Sequence, residues 1–156
     1  MNEQQAQQAA QNQRRASYRV PVGAGPELQV RAWRIAAHAI LRDRPSAKLE
    51  VICQPRDLSV TGIGLLCRGR DNSPPAFIAG ERLRLQMVWE SQEAILEAHI
   101  THANEPDEEG WVRAGAVFKK LDKSIEGRRT RALLDAIVGQ LQRAETRRLR
   151  LATKTA

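Results

Sequence analysis

Six residues in two clusters have the types and spacing to hold an anionic, hydrogen-bonding ligand. Arg14, Arg15 and Arg19 fall within Arg14-Arg15-Ala16-Ser17-Tyr18-Arg19, and Asp57, Ser59 and Gly62 within Asp57-Leu58-Ser59-Val60-Thr61-Gly62. Arginine carries a planar fork of donors that grips phosphate oxygens bidentately or stacks on a base. A carboxylate such as Asp57 can accept from the N1–H and exocyclic amine of a guanine. Ser59 adds a hydroxyl, and Gly62 lets a ligand come close to the backbone. Together the clusters describe a guanine nucleotide site, with arginines on phosphates and Asp57 on the base edge. Each also has a plainer explanation: a solvated basic tail for the arginines, and a turn that satisfies its own backbone for Asp, Ser and Gly.

Other chemistry finds little support. His99 and His102 stand three apart on an expected strand, which sends them to opposite faces, and His38 is remote in sequence. There is no HExxH, CxxC, Walker loop or GxSxG. Nothing orders Asp57, Ser59 and a histidine as nucleophile, base and orienter. Cys53 and Cys67 lie on apolar runs and give neither a disulfide framework nor a metal-ligand spacing, which fits small hydrophobes in a reducing cytoplasm. The chain is therefore expected to be a binding protein and not an enzyme, with no metal and no resident cofactor.

The elements that must position the two clusters are mostly strands. Leu28 to residue 35 alternates as a strand, although Ala32 to Leu41 would also suit a short helix. Lys48 to Gln54 places Leu49, Val51 and Cys53 on one face, and Ile63 to Cys67 is a short branched apolar run. Glu81 to Trp89 alternates most clearly, with Leu83, Leu85, Met87 and Trp89 opposed to Arg82, Arg84 and Gln86. Ala94 to Thr101 follows after Glu90-Ser91-Gln92-Glu93, as in a hairpin. Trp111 to Phe118 sets Val112, Ala114, Ala116 and Phe118 on one face. About six strands without intervening long helices predict a mainly β fold: a small antiparallel barrel. Asp122 or Ser124 can cap a helix whose stripe is Leu133, Leu134, Ile137, Val138 and Leu141. Residues 20–26 hold two prolines and two glycines, which argues against a regular element and makes them a tether between the arginines and the barrel.

Residues 1–13 are Gln-rich and lack large aliphatic side chains after Met1, as a flexible tail does. The domain is expected over 14–146, with a basic tail at 147–156. The net charge of +7 belongs to one segment, because residues 119–156 hold eleven Lys and Arg against four acids and the rest is neutral. The body thus presents no general field for polyanions, and six aromatics, most of them on strands, offer no base-stacking platform. Both points argue against nucleic-acid binding. No stretch approaches the ~18 apolar residues of a membrane span, and no apolar leader segment opens the chain, so a soluble, cytoplasmic protein is expected.

Arg14-Arg15-x-x-x-Arg19 followed by Asp57-x-Ser59-x-x-Gly62 resembles the two-part signature of the PilZ domain family, small bacterial six-stranded β-barrels that bind the second messenger cyclic di-GMP. Arg113-Ala114-Gly115-Ala116-Val117-Phe118 before a helix is similar to the last strand and closing helix of that family, so the resemblance spans roughly residues 13 to 145. It departs in Thr61, where a glycine is common, and in a long interval from Arg19 to Asp57 around the loop at 36–47. The resemblance implies cyclic di-GMP bound by Arg14, Arg15, Arg19, Asp57, Ser59 and Gly62. It also implies an N-terminal arm that orders over the ligand and offers a new surface to a protein partner. The alternative is a PilZ-like adaptor that reads proteins without nucleotide.

Overall fold

Alternating apolar residues build the barrel wall. In the computed structural model, which describes Glu3, residues 19–24 and residues 28–155, seven strands appear in the order β1 (Val20–Pro21), β2 (Leu28–Arg34), β3 (Glu50–Leu58), β4 (Gly62–Gly69), β5 (Arg82–Trp89), β6 (Gln92–Ala103) and β7 (Val112–Phe118). One helix, α1 (Ile125–Thr155), follows. All strand pairs are antiparallel, and β3, β2, β5, β6, β7 and β4 close on themselves into a six-stranded barrel. Closure removes the exposed edges that an open sheet would present.

The inward residues of β5, Leu83, Leu85, Met87 and Trp89, are buried, as are Val112, Ala114, Ala116 and Phe118 of β7. Ile63, Leu65 and Cys67 of β4 complete that side of the core. Ser124 caps α1, accepting from the Gly127 amide at 3.1 Å. Leu133, Leu134, Ile137, Val138 and Leu141 are buried against the barrel end, and no described residue beyond Leu141 is buried. The basic segment after Arg147 continues the same helix.

The seventh strand corrects the expectation for residues 20–26. Val20 and Pro21 pair with Leu58 and Asp57 of β3, and residues 22–24 make a 3-10 turn; residues 25–27 lie outside the described set. β2 pairs with β3 only at Val51 and Glu50, so the far end of the same β3 edge is open to β1. A two-residue edge pairing tolerates Pro21, which lacks an N–H. Val20 is fully buried and Val22 nearly so, and α1 packs on both β1 and the turn after it. The segment that follows the arginines is thereby pinned to β3.

The long loop between β2 and β3 lies on the opposite wall. Arg82 donates to the Ala39 carbonyl at 3.0 Å and Arg84 donates to the Leu41 carbonyl, strapping the loop over Trp33. The ten-residue alternative helix starting at Ala32 does not form, because Ala32 and Trp33 are held in the sheet by Leu85 and Arg84.

Candidate functional site

The strand β3 is longer than its alternation indicates and carries Asp57 within it, paired with Gly64 of β4. Asp57 is therefore not part of the turn, which is Ser59, Val60 and Thr61 alone. A bulge between Pro55 and Asp57 inserts Arg56 without a partner. Pro55 opposes the inward Leu65, so without the extra residue Asp57 would share its inward face. The bulge turns Asp57 outward onto the barrel surface.

There it meets Arg19. The arginine Nη1 donates to Asp57 Oδ1 at 3.4 Å, with side chains 31% and 35% exposed. Pairing of Val20 with Leu58 and of Pro21 with Asp57 brings the end of the arm to this place. Arg19 and Asp57, one from each cluster, thus share one surface. Arg14 and Arg15 lie outside the described residues.

Ser59 departs from the solvent-facing position a ligand contact requires, since it is 1% exposed. Its Oγ accepts from the amides of Gly62 at 3.0 Å and Thr61 at 3.2 Å, while its own amide donates to the Gly62 carbonyl at 2.9 Å. The hydroxyl is thus occupied by the turn, as in other serine-closed turns. Thr61 anchors that turn to the barrel by accepting from the Phe118 amide at 2.9 Å. Gly62 is needed sterically: a Cβ there would stand 2.6 Å from the Ala116 carbonyl oxygen and 3.3 Å from Arg19 Nη2. The arginine therefore lies over the start of β4.

The same surface includes residues that sequence spacing misassigned. A second bulge, between Ile100 and His102, leaves Thr101 unpaired. His99 opposes Val117, His102 opposes Gly115, and both histidines are exposed on the outer wall. The opposite-face expectation assumed an unbroken alternation, which the bulge interrupts. The site is electrostatically mixed, with the Arg19 cation, the Asp57 carboxylate and two imidazoles around a glycine-rich stretch of β4 and β7. Burial pushes the Cys53 thiol up to about 12, with Glu50 adding to the effect, and raises Cys67 as well. Both remain protonated and inert in the wall. Among the described residues no three His, Cys, Asp or Glu side chains gather to hold a metal, and no helix is long and apolar enough to cross a membrane.

No family model matches the chain, and no curated protein matches it. Among solved structures it is similar to the PilZ domain of YcgR from Escherichia coli, a structure with c-di-GMP, at 16% identity and a TM-score of 0.54, over 87% of this chain and 97% of that one. It is also similar to the PilZ domain of CeSA from a cellulose-synthesizing bacterium, at 20% identity and a TM-score of 0.49, over 78% of this chain and 98% of that one. The six-stranded barrel with its terminal helix is a PilZ-type fold.

Proposed function

We propose that this chain is a cyclic di-GMP receptor whose site is the outer wall around Asp57, completed by the arginines of the N-terminal arm. The observation that carries the reading is the Arg19–Asp57 contact, in which the arm and the β3–β4 motif meet although 38 residues separate them. The YcgR domain, similar in fold, was solved with c-di-GMP, which supports the same ligand class here.

In this reading Arg19, Arg14 and Arg15 take the phosphates, and Asp57 accepts from the guanine edge. Ser59 and Gly62 shape the turn and allow close approach. The Arg19–Asp57 pair is no barrier to binding, because a half-exposed ion pair contributes only ~0–1 kcal/mol and opens at little cost. Opening it frees a carboxylate and a guanidinium at one spot. Ligand then draws the arm onto the barrel, and the new surface is offered to a protein partner.

Isothermal titration with cyclic di-GMP tests this, with GTP and linear pGpG as controls. Charge-assisted hydrogen bonds contribute about 1.5–3 kcal/mol each, so losing two weakens binding by roughly two to four orders of magnitude. Arg15→Ala and Asp57→Ala should both show large losses. Wild-type affinity in both variants would remove the site assignment.

A further inference from the structure

Asp57, Gly64, Gly115 and His102 stand in one line across β3, β4, β7 and β6, each opposite the next. Paired residues in an antiparallel sheet share a face, so all four lie on the outer wall. The two middle members have no side chain, so only the Asp57 carboxylate and the His102 imidazole themselves reach over the peptide planes between them. With strands spaced ~4.8 Å apart, the line measures about 14 Å from β3 to β6.

Both ends of this line are aimed outward by a bulge, at Arg56 on β3 and at Thr101 on β6. Bulges gather where a side chain must be re-aimed at a site, and these two re-aim the two end residues of a single row. Both end residues also fold inward over the glycines. A Cβ on Gly64 would lie 2.6 Å from Asp57 Oδ1, and one on Gly115 would meet the His102 ring, its Nδ1 at 2.8 Å and Nε2 at 2.9 Å. One exposed hydrogen bond holds that ring: Thr101 Oγ1 donates to the Gly115 carbonyl at 3.1 Å and so accepts from the His102 Nδ1–H at 3.2 Å.

We infer that His102 is a further contact residue of the ligand site: the Asp57 carboxylate and the His102 ring swing off Gly64 and Gly115, a purine base takes the floor they leave with its edge at Asp57, and the ring stacks on it. The inference rests on the nucleotide-binding reading above and adds to it a residue outside both motifs. Stacking uses the flat face of the imidazole, which any planar ring can supply.

Titration of the full chain with cyclic di-GMP, comparing wild type, His102→Ala, His102→Phe and Asp57→Ala, separates the two readings. Removing a base-stacking ring should weaken binding about tenfold or more. His102→Ala should show that loss, His102→Phe should recover most of it, and the ligand-free melting temperature should not move in either, since His102 is exposed. If His102→Ala binds like wild type while Asp57→Ala does not, the inference is overturned and the receptor reading stands. Equal losses in the Ala and Phe variants would overturn stacking in the same way. If wild type does not bind cyclic di-GMP, both readings fall together.

Discussion

The carboxylate of Asp57 lies over the Cα of Gly64, so close that a Cβ there would come within 2.6 Å of Oδ1 and 2.8 Å of Oδ2. Gly64→Ala should therefore act through Asp57. The displaced group is the end of a half-exposed side chain and can move away, so stability should change by less than about 1 kcal/mol. Cyclic di-GMP affinity should fall toward that of Asp57→Ala. Gly62→Ala makes the contrast, because its Cβ would meet the Ala116 carbonyl oxygen at 2.6 Å and force β4 from β7. Overpacking of that kind costs about 1–3 kcal/mol. Urea unfolding and ligand titration on both variants check the pair, and a Gly64→Ala protein with wild-type affinity would contradict it.

Ser59→Ala should destabilise the barrel without directly removing a ligand contact. The buried Gly62 amide would lose its acceptor at 3.0 Å, and Thr61 its acceptor at 3.2 Å. Leaving a buried donor unsatisfied costs about 1–3 kcal/mol. Chemical denaturation should show a loss in that range, and any fall in affinity should follow from the moved turn. A variant as stable as wild type with greatly weakened binding would instead make Ser59 a direct contact.

The strands with unbroken alternation were legible because burial enforces a period of two: Leu83, Leu85, Met87 and Trp89 face one core and are all buried. The features that build the site break that period. Arg56 and Thr101 are ordinary residues with no mark of a bulge, so residue types alone place Asp57 in the turn and His102 on a separate face from His99. Ser59 and Asp57 are both turn-forming types, and residue identity alone does not say which one satisfies the backbone. β1 is silent in the sequence because two residues carry no period, and α1, which packs on it, comes more than a hundred residues later. The motif chemistry was legible at the level of residue type, whereas the floor joining Asp57 to His102 exists only through strand register.

Gly139→Ala should stabilise the protein. Gly139 sits within α1, and a Cβ there meets only the end of the Arg143 side chain, at 3.5 Å, an ordinary contact. Glycine inside a helix is about 1 kcal/mol less favourable than alanine, and the unfolded chain also loses freedom on substitution. Thermal and urea unfolding should show a gain of roughly 0.5–1 kcal/mol with ligand affinity unchanged. A loss of stability would mean that this face of the helix lies against something the glycine accommodates.

Glu97 should contribute an acid-sensitive share of stability. Its carboxylate accepts from Arg82 Nη2 at 2.8 Å, with Lys119 Nζ at 3.9 Å, and its side chain is only 11% exposed. The Arg82 hydrogen bond, with the charges of Arg82 and Lys119, holds the carboxyl below its usual range against the opposing effect of burial. A lowered folded value means that the unfolded chain takes up the proton first as acid is added. The stabilisation is then complete above the ordinary glutamate value of about 4.3 and disappears as pH falls below it and through the folded value. Glu97→Gln keeps the shape and removes the charge, so it should cost up to about 1 kcal/mol at pH 7. That gap should close in acid, although Asp71, Asp122 and Glu145, lowered in the same direction, keep an acid limb in both proteins. Urea unfolding of both proteins between pH 3 and 7 reads the difference directly, and a gap that stays constant across that range would exclude the Arg82–Glu97 pair as its source.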